Sequence, residues 1–362
     1  MTSGEGSEAV EAALDLVAEA EAEVFGAGPP VSLRVTGRIA RRDGPLSDAL
    51  NAEALTDPLV AEARGLQAGS VAVRPVRSEL LVVGKLAAPE SVKARAYLVA
   101  PDGQPRTLKV WAPSRAAVGR REQEARERVA RIPEYRSLPV LAAGSLASGG
   151  HFLLEPVLYG ASPLHRGVRM EAVHELVPTL ARAYVADGLE DRRLSEIEGS
   201  DLAQRLEEGI ATLAEAWQPH WGDRGRLERA LARLVRRDRT LPCAMCHGDL
   251  VASNLMRGPD GCLRVIDWEL AGEGPVAFDL AKLLLNSRDP WAVSVRHAAA
   301  LRAFHGYGVR RYTWPEQLTL YLANRLSRLP RRRAVAERAG RLPQFERQLD
   351  QHLRFLRRLV WA

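Results

Sequence analysis

The sequence predicts an α+β protein in which strands dominate the first part of the chain and helices the second part. Before residue 160, short apolar runs are bounded by Gly, Pro and Asp, a pattern typical of strands and turns. Beyond Pro163, amphipathic stretches of helical periodicity fill most of the chain. Strands early and helices late predict a small sheet-bearing N-terminal part and a large helical C-terminal part. The 362 residues suffice for a sizeable core.

The composition is that of an ordinary folded protein, with 46% apolar and 27% charged residues. No apolar run approaches the roughly 18 residues that a membrane span needs, so the sequence predicts no membrane partner. The N-terminal 25 residues are acidic and lack the basic start and apolar middle of a secretory signal. We therefore expect a cytoplasmic protein.

The first predicted element is an acidic helix within an N-terminal extension, residues 1–70. Residues 7–24 alternate small apolar residues with acids at helical spacing, and residues 26–30 end the pattern. Residues 31–66 give no clear element. We expect the acidic helix to lie on the basic C-terminal helices or to contact a partner.

Residues 71–158 are predicted to form the sheet and one helix. Pro101-Asp102-Gly103 is a strong turn signal between two strands. Ser114 follows Pro113 as the expected N-cap of a helix that runs toward Arg131. The predicted strands are 78–83, 92–100, 106–111, 139–143 and 152–157.

Residues 159–362 are predicted to be mostly helical, with a short strand-bearing segment in the middle. Amphipathic periodicity predicts helices at 171–187, 202–217, 226–236 and over most of 277–361. A strand is predicted at 263–267.

The three cysteines lie close together, at Cys243, Cys246 and Cys262. Their odd, small number argues against a disulfide framework. Cys243 and Cys246 form a C-x-x-C pair, but a structural zinc site needs four ligands and the chain has no second pair. A thioredoxin-like motif is the alternative that the spacing leaves open. We expect buried structural thiols.

The basic residues are almost all arginines, and many of them lie near the C-terminus. Only four of the 51 are lysines, and such a lysine is a candidate for a site that needs a compact ammonium group. The last 62 residues carry 14 arginines against four acids, and the isoelectric point near 9.5 raises the question of nucleic-acid binding. The arginines alternate with apolar helical positions and no nucleic-acid motif accompanies them. The sequence thus predicts a solvated basic surface and no nucleic-acid partner.

Three polar residues form a pattern suited to phosphoryl transfer. Asp249 is followed five residues later by Asn254, and Asp267 ends an apolar strand. Mg²⁺ prefers oxygen ligands, which Asn254 and Asp267 can supply. Asp249 can orient an acceptor hydroxyl and accept its proton. The alternative, a metal-hydrolase cluster of His247, Asp249 and Asp267, lacks a second His motif.

These segments resemble those of the aminoglycoside phosphotransferase and choline kinase family. Residues 247–254 are similar to its catalytic loop, residues 266–269 to its metal-binding segment and residues 274–281 to the signature that follows. Their order and spacing over about 35 residues carry the resemblance. It implies a bilobal protein-kinase-like fold and ATP with Mg²⁺ as cofactors, GTP not being excluded.

The resemblance also implies a lysine on the third strand that holds the nucleotide phosphates, and Lys109 matches it. A glutamate on the next helix should orient this lysine, and both Glu122 and Glu124 are at a suitable distance. Glu122 begins the inward-facing stripe that continues at residues 125, 129 and 132, so Glu122 is preferred. A surface helix without a privileged acid is the alternative.

The resemblance places the remaining site residues in two loops. The loop 84–91 has one glycine, and Ser91 is expected to contact phosphate, with an ordinary hairpin turn as the alternative. Residues 152–160 resemble the hinge that binds adenine, and the Pro156 carbonyl and the Leu158 N–H remain able to bind it.

Two residues are expected to support the site. His247 should brace the catalytic loop. Asp279 should cap the helix that begins at Leu280 and accept hydrogen bonds from the loop backbone.

The sequence therefore predicts an ATP-dependent phosphotransferase that acts on a small-molecule hydroxyl. Substrate should bind among the C-terminal helices, whose basic character favours a neutral or anionic alcohol over a polycationic aminoglycoside. A kinase of Ser or Thr in a peptide of natural-product biosynthesis and a nucleotide-binding scaffold without turnover remain alternatives. The sequence does not predict an oligomeric state.

Overall fold

The computed structural model describes residues 3–36, 39–41, 44, 71–84, 89–158, 166–197, 201–216, 224–287, 289–306, 310–338 and 340–361. Contacts divide the chain into two compact units. The first comprises Met1–Pro163 and Ser253–Ala271, and the second comprises Leu164–Ala252 and Gly272–Ala362. The segment Ser253–Ala271 thus belongs to the sheet-bearing unit, although the residues before and after it belong to the second unit.

The first unit is built on an antiparallel sheet to which the described residues contribute eight strands. They are β1 (Pro30–Thr36), β2 (Ile39–Arg41), β3 (Val71–Pro75), β4 (Ser78–Val83), β5 (Lys93–Val99), β6 (Pro105–Trp111), β7 (Ala142–Ser145) and β8 (His151–Pro156). Their order in the sheet is β3-β1-β2-β4-β5-β6-β8-β7. Successive side chains of β5 and β6 point to opposite faces of this sheet. Ala94, Ala96 and Leu108 belong to the apolar core, whereas Arg95 and Lys109 point to the opposite face.

Helix α1 (Ser3–Phe25) covers the apolar face of this sheet. Val10, Leu14 and Val17 are fully buried in the same core cluster as the strands. Near the end of the helix, the buried Glu21 carboxylate accepts hydrogen bonds from the backbone of residues 77 and 78. The predicted helix thus exists, but it is part of the core of the first unit. The sequence analysis did not anticipate this because it left β1–β3 unassigned.

Helix α2 (Ala116–Val129) packs on β6 and β8. It begins after a 3₁₀ turn, Pro113–Arg115, and no side chain caps it. The prediction of Ser114 as N-cap was wrong, since its hydroxyl donates to the Glu90 carbonyl at 2.6 Å. The predicted strand at 139–143 lies a few residues later, as β7.

A two-stranded hairpin of β11 (Leu255–Arg257) and β12 (Leu263–Val265) also belongs to the first unit. Leu255 and Val265 are paired, and the Ile266 N–H donates to the Asn254 carbonyl at 2.9 Å. The open end of the hairpin therefore brings residue 254 next to residues 266 and 267.

The second unit is mostly helical in its described residues and contains a three-stranded sheet, β13-β10-β9. Its strands are β9 (Glu190–Arg193), β10 (Thr240–Cys246) and β13 (Gly272–Pro275). Its helices are α3 (Arg166–Asp187), α4 (Asp201–Ala216), α5 (Arg224–Arg236), α6 (Val276–Leu284), α7 (Pro290–Arg296), α8 (Ala298–Leu301), α9 (Trp314–Ser327), α10 (Leu329–Arg338) and α11 (Leu342–Trp361).

The central strand β10 carries the C-x-x-C pair, and both thiols are buried. Cys246 donates its thiol to the Gly274 carbonyl across the strand pair, at 3.2 Å. Burial raises the pKa of both thiols.

Among the helices that the structure describes, none has both the length and the apolarity of a bilayer span.

Candidate active site

Lys109 belongs to a buried network of four charged side chains. Its Nζ lies 2.5 Å from Glu122 Oε1 and 3.5 Å from Glu155 Oε1. Arg126, one turn after Glu122 on α2, lies 2.7 Å from Glu155 Oε2 and 3.6 Å from Glu122 Oε1. Two cations thus face two carboxylates, and the network is neutral as a whole. Such pairing is what allows charged groups to be buried at all.

The network places Glu122, and not Glu124, beside Lys109. Glu122 is fully buried on the inner face of α2, whereas Glu124 is exposed. The helical stripe that begins at Glu122 therefore decides the partner, as the sequence analysis proposed.

Asp267 lies on the same face of the first unit, beside two cations of β5. Its Oδ1 is 3.3 Å from Lys93 Nζ and 3.1 Å from Arg95 Nη2. Lys93 also contacts Glu269 Oε2 at 2.6 Å. Burial opposes the ionisation of Asp267, but the charges of Arg95, Lys93 and Lys109 hold its pKa well below the usual range. The carboxylate is therefore ionised at neutral pH.

The backbone of Asp267 is left-handed, with φ 65° and ψ 63°. A non-glycine residue pays about 1 kcal/mol or more for this conformation, and such residues are concentrated at functional sites. The left-handed backbone of Asp267 changes the direction of the chain between β12 and the 3₁₀ turn Trp268–Leu270. The buried Trp268 ring packs edge-on against Tyr135, with 5.6 Å between centroids, and anchors this turn.

A pocket opens over the polar face of β5, β6 and β8 within the first unit. One part of its lining is charged and the other part is largely apolar, as expected of a nucleotide site with a phosphate end and a base end. Pro156 and Leu158, the predicted hinge residues, both line it. The lining comprises Arg95, Tyr97, Thr107, Lys109, Leu138, Glu155, Pro156, Val157, Leu158, Met256, Ile266 and Asp267.

The predicted phosphate-covering loop lies partly outside the described residues, which omit 85–88. Ser91 ends the 3₁₀ turn Pro89–Ser91, directly before β5. The Gly84 N–H donates to the Lys93 carbonyl at 2.9 Å, so the described ends of the loop are joined. Ser91 is not among the described residues that line the pocket.

Asp249, the predicted base, belongs to the second unit and lies on the loop that follows β10. Its side chain is 43% exposed. Gly248 before it has φ 78°, a left-handed conformation that favours glycine. The Asp249 N–H donates to His247 Nδ1 at 3.2 Å, and His247 is buried, so its ring braces the loop.

The Asp279 side chain binds the backbone of the loop that carries Asp249. Its carboxylate accepts hydrogen bonds from the backbone N–H of His247 and Gly248, the latter at 3.0 Å, and from Tyr184 Oη at 3.2 Å. The loop contact was predicted, but the capping role was wrong. Helix α6 begins at Val276, so Asp279 lies in its first turn and not at its N-cap.

Lys282, one turn further along α6, lies beside the predicted base. Its Nζ donates to the Gly248 carbonyl and is 3.6 Å from Asp249 Oδ1. Lys282 therefore contacts both the backbone of the loop and the carboxylate of the predicted base.

The sequence analysis missed five charged residues around Lys109, Asp267 and Asp249. Lys93 and Lys282 carried a usable signal, because lysine is rare in this chain. Arg95 could have been placed by counting back from the turn at 101–103, since the hairpin pairs Arg95 with Lys109. Arg126 and Glu155 carried no signal that distinguishes them from surface charges.

Asn254 and Asp267 satisfy the first requirement of a magnesium site. The hairpin of β11 and β12 holds the two residues at its open end, and both offer hard oxygen donors. Asp267 is ionised and keeps 20% of its side chain exposed. Within the described ranges, no group of three or more His, Cys, Asp or Glu side chains is arranged to hold a metal ion. The oxygen donors of Asn254 and Asp267 suit Mg²⁺, which they would hold together with oxygens of phosphate and water.

Comparison with known proteins identifies the family. Residues 85–315 match the APH phosphotransferase enzyme family. No curated protein matches the chain significantly. Among solved structures, an aminoglycoside-3'-phosphotransferase of type VIII is 22% identical, with a TM-score of 0.42, over 75% of this chain and 98% of its own.

Two further structures are similar to the chain. The macrolide 2'-phosphotransferase MphH from Brachybacterium faecium is 18% identical, with a TM-score of 0.42, over 75% of this chain and 91% of its own. A thermostable mutant of aminoglycoside phosphotransferase APH(4)-Ia, in a ternary complex with ADP and hygromycin B, is 14% identical, with a TM-score of 0.47, over 76% of this chain and 93% of its own. Because the family match alone spans more than half of the chain, the protein belongs to the APH phosphotransferase enzyme family, with its kinase-like α+β fold, and is a phosphotransferase that acts on a hydroxyl group.

Proposed function

We propose that the protein transfers the γ-phosphate of ATP to a hydroxyl group of a small neutral or anionic alcohol. One observation supports this above all others. Lys109, held by Glu122, faces the same pocket as the ionised Asp267. A buried, oriented ammonium group beside a carboxylate suited to Mg²⁺ is the arrangement that phosphoryl transfer needs.

In this proposal, the sheet-bearing unit binds the nucleotide. The Lys109 ammonium contacts the phosphates, and Glu122 and Glu155 fix its position. The Pro156 carbonyl and the Leu158 N–H bind the edge of the base. Ser91 contacts a phosphate oxygen.

Asn254 and Asp267 hold Mg²⁺ in this proposal. When bound, the ion neutralises charge on the phosphates and fixes their orientation. Lys93 and Arg95 now pair with Asp267, and we propose that they turn toward the phosphates when nucleotide binds.

Asp249 acts as the base. Its carboxylate orients the acceptor hydroxyl and accepts its proton as the new P–O bond forms and the bond from the γ-phosphorus to ADP breaks. The loop is held by Asp279 and Lys282, which lie one turn apart on α6. This preorganisation lowers the cost of positioning the hydroxyl for in-line attack.

The proposal that the acceptor is neutral or anionic rests on the positive charge of the C-terminal helices. Residues 301–362, which include α9, α10 and α11, carry 14 arginines and four acids. Such a surface repels a polycationic aminoglycoside and tolerates a sugar or an anionic metabolite.

The test is nucleotide consumption with Mg²⁺ across pools of alcohols, aminoglycosides and Ser/Thr peptides, with the Asp249→Asn variant as control. We expect one alcohol pool to stimulate ADP formation in the native protein only, and one of its members to gain a phosphate by mass spectrometry. If only the peptide pool were phosphorylated, the acceptor would be a peptide hydroxyl and not a small alcohol. Nucleotide binding without transfer to any pool would favour a scaffold.

A further inference from the structure

We propose that the cleft between α9, α10 and α11 of the second unit binds the carboxylate group of a small acid. Each of the three helices contributes one basic side chain to its lining, Arg325 from α9, Arg332 from α10 and His352 from α11. The lining contains no carboxylate, and apart from Gln348 its other members are apolar. A cleft with two guanidinium groups and no acid has the charge that an anionic ligand requires.

The fold leaves both guanidinium groups without a counter-charge. Arg325 Nη1 donates to Tyr321 Oη at 3.1 Å, whereas Arg325 Nε is buried and has no hydrogen-bond partner among the described residues. Arg332 packs on the Phe345 ring, with 5.7 Å between Cζ and the ring centroid. Within the described part of the chain, no carboxylate forms an ion pair with either arginine. A guanidinium carries five N–H donors, so both arginines keep donors for a ligand.

The pKa of Arg332 reflects the same lack of a counter-charge. Burial lowers it to about 10, with further contributions from the positive charges of Arg325 and Arg328. Elsewhere in the molecule, hydrogen bonds to carboxylates raise the pKa of Arg74 and of Arg264. A carboxylate bound in the cleft would act on Arg332 as Asp15 and Asp260 act on those two arginines.

His352 adds a neutral polar group to the cleft. Burial and the charges of Arg325 and Arg332 lower its pKa to about 3, so the ring is uncharged at neutral pH. A neutral imidazole still carries one N–H, which can donate to an anion. The lining therefore offers two positive charges and one neutral donor.

The size of the cleft restricts the ligand to a compact group. Its volume is about 10 Å³, roughly the room that one water molecule needs. A carboxylate oxygen is similar in size, whereas a polyphosphate or a nucleic-acid backbone is far larger. The two oxygens of a carboxylate also match the fork of a guanidinium. The ligand class is therefore a small carboxylic acid and not a polyanion.

Contacts within the second unit connect this cleft to the loop that carries Asp249. Tyr321, which accepts the hydrogen bond from Arg325, packs edge-on against Phe278, with 5.5 Å between ring centroids. Phe278 precedes Asp279, whose carboxylate binds the backbone of that loop. Two sources of the carboxylate fit this position: the acid group of an anionic acceptor, which rests on the proposed function, and a separate small acid.

The test is urea unfolding of the nucleotide-free protein at pH 7 in 0–100 mM sodium acetate. Sodium HEPES keeps the ionic strength constant, because its sulfonate is too bulky for the cleft. We expect the equilibrium constant for unfolding of the native protein to fall about 10-fold at 100 mM acetate, as for a site with a Kd near 10 mM.

Three variants of α10 locate the effect. Arg332→Met should lose the acetate response and, without acetate, be no less stable than the native protein, because it removes an unpaired charge. Arg332→Lys retains the charge and should keep part of the response. Arg331→Met, at an exposed neighbouring position, should respond as the native protein does.

Two results would overturn the inference. The first is a native protein that does not respond to acetate. The second is an equal response in Arg332→Met, because a general salt effect is common to both proteins. Neither result involves nucleotide or turnover, so the inference can fail while the proposed function stands.

The transferase assay then distinguishes the two sources of the carboxylate. If acetate raises the KM for the identified acceptor and leaves kcat unchanged, the cleft binds the acid group of the acceptor. If the KM does not change in a protein that acetate stabilises, the ligand is a separate small acid.

Discussion

Arg126 and Glu155 form an ion pair in the interior of the first unit, with 2.7 Å between Nη1 and Oε2. Arg126 is only 1% exposed, and its Nη2 also donates to the Leu138 carbonyl at 2.7 Å. The guanidinium therefore joins α2 to β8 and to the segment before β7. It also shares both carboxylates with Lys109, so the fold and the site depend on the same charges.

The first prediction concerns this arginine. Arg126→Met leaves two buried carboxylates with one cation, and removal of one partner of a buried pair costs about 3–5 kcal/mol. We expect the free energy of unfolding in urea to fall by this amount. Arg121→Met, on the exposed side of the same helix, should change it by less than about 0.5 kcal/mol. Equal effects of the two variants would show that the network does not stabilise the fold.

The second prediction concerns Lys109. Lys109→Met removes the proposed phosphate contact and should lower kcat about 10²–10³-fold, as does loss of one electrostatic donor at other transition states. Arg106→Met is the control, because Arg106 lies on the same strand but pairs with Asp102 at the surface. Steady-state kinetics with the identified acceptor is the measurement. A similar loss in both variants would point to damage of the strand instead.

The third prediction separates chemistry from nucleotide binding. Asp249→Asn should lower kcat about 10²–10⁴-fold, the range for general-base removal. Affinity for ADP should stay within about twofold of the native value, because Asp249 has no proposed nucleotide contact. Asp260→Asn, at the exposed turn between β11 and β12, should leave kcat unchanged. A large loss of ADP affinity in Asp249→Asn would contradict the assignment.

The sequence was informative where one element alone fixes a residue's environment. Glu122 followed from the apolar stripe of a single helix, and Lys109 from the resemblance and a strand bounded by a clear turn. Glu155 and Arg126 depend on contacts between α2, β8 and the segment before β7, which no local pattern records. In an arginine-rich helix, burial of one arginine is decided by the tertiary contacts.

The same reasoning explains the errors in the fold. The sequence analysis left out strands β1–β3 because they flank a long segment without periodicity, and β2 has only three residues. Because the sequence analysis did not assign these strands, it did not identify the sheet against which the apolar face of α1 packs. Ser114 satisfied the residue preference of an N-cap, but Pro113 starts a 3₁₀ turn, so the α-helix begins two residues later, at Ala116.

The fourth prediction tests whether α1 is part of the core. Leu14 is completely buried between the helix and the sheet. Leu14→Ala should lower the free energy of unfolding by about 2–5 kcal/mol, the usual cost of such a cavity. Glu23→Ala, at an exposed position of α1, should have little effect. If Leu14→Ala were also neutral in urea unfolding, α1 would be a dispensable tail.

The fifth prediction concerns acid stability and His352 on α11. This ring is buried near Arg325 and Arg332, and burial together with both charges lowers its pKa to about 3. The ring is therefore neutral in the folded protein at pH 5, whereas the unfolded chain, with a pKa near 6.5, takes up a proton. Protonation favours the unfolded state, so stability is lost as the pH falls from about 6.5 toward 3.

Between pH 7 and pH 5, this single histidine should lower the free energy of unfolding by about 2 kcal/mol. His352→Leu cannot take up the proton, so its stability should decline less over the same interval. Urea unfolding at pH 7, 6 and 5 measures both curves. The remaining titratable groups are common to both proteins and cancel in the difference. Parallel curves would mean that His352 is protonated in the fold, which its position beside two arginines opposes.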